Sequence, residues 1–201
     1  MQNAKCKVQN EGKSQKEKGV IKMRRLRNVL LVMMGVMLLG GVAYGAQSAD
    51  ITITVTCQVL SVSVSPNAYD FGVVIPGAIT NSASAITVTN DGNVNEKYGL
   101  QATDTANWSL VSGVPSTDQF RLLAKFASTR PATYDYSTAN DVLTVSKQVC
   151  DGTIFATDAA NDGYDVASEG VQDLWFRFDA PSDTAITTQQ TITVTLTAES
   201  M

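Results

Sequence analysis

The chain has 201 residues, 15 Lys and Arg against 19 Asp and Glu, three cysteines and no histidine. Without histidine there is no Ser-His or Cys-His nucleophile pair and no imidazole metal site. The basic residues are unevenly placed: from residue 46 onward six stand against seventeen acidic ones, a net charge of −11, which opposes binding to phosphate backbones or anionic lipid and excludes nucleic acid as a partner.

The N-terminal third of this imbalance has the order of a secretory leader. Arg24, Arg25 and Arg27 form a positive cluster, Val29 to Leu39 are apolar, and "GGVAYGA" supplies small residues before a cut between Gly45 and Ala46. A helical signal peptide is therefore expected over 23–45, with the membrane engaged only through this leader during export. An uncleaved anchor is the rival, since a spanning helix needs roughly 20 apolar residues; the double glycine and the polar "AQSA" oppose it. Residues 1–22 have no apolar pattern, and Met23 followed by "RRLR" reads as the initiator of a bacterial leader. The body, 46–201, is of single-domain size.

Body periodicity is that of strands. In "DITITVTCQVLSVSVSP" the apolar set falls on Ile51, Ile53, Val55, Cys57 and Val59, then shifts to Leu60, Val62 and Val64. A period of two shifts only through a bulge or a change of sheet. "YDFGVVIPG" places Phe71, Val73 and Ile75 on one face, and "SAITVTNDGN" places Ile86 and Val88 inward before an Asp-Gly turn. Tyr98, Leu100 and Ala102 follow, then Trp108 and Leu110, then Phe120, Leu122, Ala124 and Phe126. After the polar "STRPATYDYSTAND", "VLTVSKQV" offers Leu143, Val145 and Val149. Beyond the loop "TDAANDGYDVASEG", "DLWFRFDAP" turns Leu174, Phe176 and Phe178 inward, and "TITVTLTA" does the same for Ile192, Val194, Leu196 and Ala198. Short strands separated by turn residues predict an all-β, antiparallel two-sheet sandwich of immunoglobulin-like type.

"DFGVVIPGAITNSASAITVTNDGNVNEKYGLQATDTANWSL", with the later "LWFRFDAPSDTAITTQQTITVTLTA", resembles the bacterial immunoglobulin-like accessory domains of the NEW3 and ASH types. The shared pattern is an apolar strand ending in V-x-N-x-G-N, an aromatic strand, and a late strand pair opened by Ala-Pro. An unmatched insertion lies near 113–168. The resemblance implies a non-catalytic module of exported, surface-located proteins and brings no site residues with it.

Several constellations remain to be placed. Cys57 and Cys150 would be permitted one bridge in an oxidising compartment, worth roughly 4 to 5 kcal/mol in the chain-entropy model; free cysteines inside strands are the alternative. Asp158, Asn161, Asp162 and Asp165 group oxygen ligands on a Gly-bearing loop suited to calcium, as do Asp91, Asn93, Asn95 and Glu96, although the same residues serve ordinary turns. The alternation that buries Phe176 turns Trp175 and Arg177 outward. There, with Tyr134, Tyr136 and Tyr164, they would present a surface to a glycan or a protein. Cover by the insertion is the other reading of that face. Glu96, Glu169 and Glu199 sit in or beside loops or at the C-terminus and form no pocketed acid pair. No cofactor other than calcium is expected. These features suggest an exported, non-enzymatic structural or adhesive protein, extracellular, at the cell surface or in the periplasm, with a protein partner or copies of itself. Asp50 to Ser65 is either simply the first strand of its own sandwich, the favoured role since free edges are usually kept paired, or a segment suited to strand exchange, and a carbohydrate-binding module is the alternative function.

Overall fold

The computed structural model describes residues 48–201, so the leader and the upstream segment lie outside the described residues. These residues divide into two units, one ending at Thr54 and the other running from Val55 to Met201. Residues 48–54 are exposed and carry no regular secondary structure.

The second unit is all-β, built from two sheets, as the periodicity predicts. The first sheet holds β1 (Val62–Ser65), β2 (Ile79–Asn81), β3 (Ile86–Asn90), β5 (Ser109–Leu110), β6 (Gln119–Phe126) and β8 (Val171–Asp179), ordered β1-β3-β8-β6-β5, with β2 beside the end of β8. The second is β7 (Gln148–Val149), β4 (Glu96–Ala102) and β9 (Val194–Ser200), ordered β7-β4-β9. All pairings are antiparallel except β5 with β6, which is parallel. That exception arises because Trp108 and Leu110 return along the sheet edge from a loop closed at Thr105, whose N–H bonds the Trp108 carbonyl at 2.9 Å.

The shared core follows the period of two. Ile86 and Val88 from β3, Tyr98, Leu100 and Ala102 from β4, Phe120, Leu122, Ala124 and Phe126 from β6, and Leu174, Phe176 and Phe178 from β8 are all buried. Burying side chains of this size stabilises by about 1.5–3 kcal/mol each relative to leaving them in water. The Asp-Gly turn after β3 does not make a hairpin. It carries the chain from one sheet to the other, because β3 and β4 lie in different layers.

β6 and β8 are covered on both faces. Their outward alternation, Leu123 with the partly buried Trp175, packs on Tyr136 and Val142 from the 127–170 connection. That connection includes a short 3-10 turn, Thr133–Asp135. The polar outward residues pair across the register: Arg121 faces Asp179, and Lys125 faces Trp175.

Three segments depart from the predicted strands. Phe71 and Val74 pack on the core, but "YDFGVVIPG" forms no strand; Val73 and Ile75 are exposed, since no strand lies beside them. Of "VLTVSKQV" only Gln148–Val149 forms a strand, Val142 makes an isolated antiparallel bridge to Leu123, and Val145 stays in solvent. Of the long first strand only Val62–Ser65 joins a sheet, and Ile51 to Leu60 are exposed throughout.

Candidate functional site

The sheet-changing turn between β3 and β4 is the most heavily bonded polar feature of the unit. The inward alternation of β3 ends on Asn90 and that of β4 starts on Glu96, so both polar side chains enter the core at 0% exposure. Asn90 meets the cost of burial with four bonds. Its Nδ2 donates to the carbonyls of Val94 (2.9 Å), Val166 (2.9 Å) and Ala167 (3.1 Å), and its Oδ1 accepts from the Gly92 N–H at 2.8 Å. Gly92 has no room for a side chain, since a Cβ would meet the Glu96 carboxylate and the Val59 carbonyl.

This turn holds the chain that enters the sandwich. Asn93 Oδ1 accepts from the Val59 N–H at 2.8 Å, the Asn93 N–H donates back to the Val59 carbonyl at 3.2 Å, and Asn93 Nδ2 donates to the Cys57 carbonyl at 2.9 Å. Glu96 Oε1 accepts from the Ser61 N–H at 2.7 Å. Residues 57–61 are thus docked by side chains in place of a strand. Upstream, Ile51, Ile53 and Val55 are 85%, 81% and 84% exposed, and among the described residues nothing pairs with 51–56. Ile51, Ile53 and Val55 thus form an alternating apolar ribbon that is exposed along its length.

The residues proposed for calcium are placed otherwise. Asp158 Oδ1 accepts from the Ala160 N–H (2.9 Å) and from the Asn161 backbone and side-chain nitrogens (3.1 and 3.2 Å), so these bonds hold its carboxyl below the usual range. Asp162 caps the Tyr164 N–H at 2.9 Å, and Asp165 accepts from Asn95 Nδ2 at 2.8 Å. Among the described residues no three His, Cys, Asp or Glu side chains are grouped to hold a metal ion. Asn93 and Glu96, from the other acidic loop, are spent on the chain's own 57–61 segment.

The expected aromatic surface is largely enclosed, because the 127–170 connection lies over it. Trp175 is partly buried and donates its Nε1–H to the Ala127 carbonyl at 2.9 Å. Arg177 is buried and bonds Asp179 Oδ1 at 2.7 Å and the Thr133 carbonyl at 3.0 Å, and Tyr136 is buried beneath it. Of the five residues, Tyr134 and Tyr164 alone are exposed.

Cys57 and Cys150 are both free: Cys57 is exposed on the docked segment and Cys150 is buried against the core, with its N–H on the Tyr98 carbonyl at 2.8 Å. Burial, ahead of the nearby Asp162 and Asp151 charges, pushes the Cys150 thiol from 9.0 up to about 12. Burial also raises the Tyr98 phenol, with Glu96 adding to the effect, and the Tyr136 phenol. A group whose folded pKa is raised stabilises fully below its unfolded value and loses that contribution as pH climbs towards the folded one. Stability should therefore hold to about pH 9 and then fall, most steeply above pH 10, where the tyrosines join. In urea titrations across this range, Cys150→Ala should remove about 1.4 kcal/mol per pH unit of the fall between 9 and 12; an unchanged slope would refute the assignment.

No protein-family model matches the chain, and no curated protein is similar to it.

Proposed function

We propose that the chain is an exported, non-enzymatic structural or adhesive protein of the cell surface or extracellular matrix, and that its copies assemble by strand exchange through residues 50–65. The observation that carries this reading is the exposure of Ile51, Ile53 and Val55, each above four-fifths, on a segment of unbroken strand periodicity. Apolar alternation over six residues specifies a ribbon with one face buried. Leaving that face in water invites association with any complementary edge. The leader and the acidic body support export, and the likeness to accessory sandwiches supports a role in contact.

The carbohydrate-binding alternative loses support, since Trp175 has its N–H committed and Arg177 and Tyr136 are buried. An inward-facing isoleucine contributes about 2 kcal/mol of burial. Ile53→Asp should therefore weaken self-association on the order of 30-fold while leaving the melting temperature of the body unchanged. Light scattering of the exported chain over a concentration series reads the first effect and calorimetry the second. A chain that remains monomeric at high concentration, with its N-terminus at Ala46 intact by mass spectrometry, would sink the reading.

A further inference from the structure

The tetrapeptide Ile-Thr-Val-Thr occurs at 53–56, 86–89 and 192–195. In β3 it lies between β1 and β8, and its Ile86 and Val88 are buried. At 192–195, leading into β9, only β4 lies alongside, and Ile192 and Val194 are half-buried against the core. At 53–56 it has no strand beside it among the described residues, and Ile53 and Val55 are bare. One local sequence therefore has two, one and no strand neighbours, and its burial falls in the same order.

Two of these three copies lack a neighbour that the other could supply. β9 pairs along one edge alone, and its inward residues Val194, Leu196 and Ala198 are half-buried where those of β4 are fully buried. The direction of its open backbone groups follows from antiparallel alternation. The Thr103 N–H donates to the Thr193 carbonyl at 3.0 Å, which sets the odd-numbered residues toward β4. Val194, Leu196, Ala198 and Ser200 then aim their N–H and C=O groups at the free edge.

The other edges do not offer this. β1 has four residues and stops at Ser65, before Pro66, β2 has three, and β5 and β7 have two each, whereas β9 has seven. Edges exposed by accident are guarded with charge, proline or a bulge. From Thr191 to Ala198 there is neither charge nor proline, and the first charge, Glu199, is paired with Lys147.

We propose that the open edge of β9 accepts Ile51–Cys57 of a second copy of this chain. The assignment rests on the strand-exchange reading above and names its acceptor. The occupant matches the edge in length, seven residues against seven, carries no charge, and repeats the tetrapeptide that already pairs beside β4. Backbone bonds to Leu196 and Ala198 would supply affinity, and Ile51, Ile53 and Val55 would complete the half-covered core beside Val194 and Leu196. Donor and acceptor are different stretches of one chain, so the contact either closes reciprocally into a swapped dimer or propagates head-to-tail into a ring or filament.

Native Cys57 provides the test. In the exported full chain, Val194→Cys and Ser200→Cys place a second thiol at either end of β9 on the face that Ile51, Ile53, Val55 and Cys57 would share, opposite Cys57 for an antiparallel or a parallel added strand respectively, while Cys150 stays buried. Under mild diamide oxidation, one of these variants should give interchain disulfides that the parent does not form, as dimers or a longer ladder on a non-reducing gel, and they should vanish with Cys57→Ser. No interchain disulfide beyond the parent's, or a disulfide closed within one chain, would overturn the assignment. Ala198→Pro offers an independent arm, because it removes an outward N–H and no bond to β4. It should reduce assembly at least tenfold with an unchanged circular dichroism spectrum. If Ala198→Pro assembles like the parent while Ile53→Asp does not, the acceptor is elsewhere and strand exchange itself survives. If the parent chain never assembles, both proposals fall.

Discussion

Asp179→Ala is expected to destabilise the fold by about 4 kcal/mol, the largest effect of any single substitution in the polar layer, because it strands two buried cations at once. Asp179 Oδ2 accepts from Arg121 Nε at 2.8 Å and from Arg121 Nη2 at 2.5 Å, and its Oδ1 accepts from Arg177 Nε at 2.7 Å. All three side chains are at most 10% exposed. Alanine leaves Arg121 without its carboxylate partner and Arg177 with the Thr133 carbonyl as its remaining protein acceptor. Removing a single cation is the milder change, since the other still neutralises the carboxylate; Arg121→Met should cost about half as much. Urea denaturation of Asp179→Ala and Arg121→Met side by side tests the asymmetry. Equal losses would mean that the cluster does not act as a charge triad.

Asn90→Ala is expected to cost about 3 kcal/mol, from the desolvation of groups left unpaired. The four bonds of Asn90 tie the β3–β4 turn to the carbonyls of Val166 and Ala167, so the substitution orphans the Gly92 N–H and the Val94 carbonyl and leaves the Val166 and Ala167 carbonyls with the Glu96 and Gly170 N–H groups alone. Asn90→Asp should be at least as damaging, because it sets an acceptor against three carbonyls. Asp91→Ala, at an exposed neighbouring position, is the control and should stay within about 0.5 kcal/mol. Hydrogen exchange should show the loss spreading to Val59 and Ser61, whose N–H groups are held by Asn93 and Glu96 of the same turn. A stability loss without faster exchange at these two amides would separate the turn from the docked segment.

Much of the sandwich was legible from alternation alone. The inward sets of β3, β4, β6 and β8 match the predicted residues one for one. The same alternation carries a clue to the turn: the inward series Ile86, Val88 ends on Asn90, and the inward series Tyr98, Leu100 begins on Glu96. Two polar residues at core positions flanking an Asp-Gly pair require internal bonds. Beyond the local bonds of Asn90 to Gly92 and Val94, their targets lie 35 to 77 residues away in the chain, from Ser61 to Ala167, and no local pattern reveals them.

The outward face of β8 was ambiguous for a different reason. Period two states that Trp175 and Arg177 lie opposite Phe176, and it carries no information on what covers them. Tyr136 and Val142, from the irregular stretch between β6 and β7, form that cover. The cysteines were ambiguous in the same way, since bridge formation depends on a through-space separation that spacing along the chain does not contain.

The sequence by itself determined that this protein is an all-β, two-layered body without histidine chemistry, and which face of each central strand is buried. Hydrophobic period and turn residues are local properties, and they suffice for that. Only the tertiary structure decided which ribbons obtain neighbours. Ile-Thr-Val-Thr is buried at 86–89, half-covered at 192–195 and bare at 53–56, because burial of a strand is conferred by the strands beside it and never by its own residues.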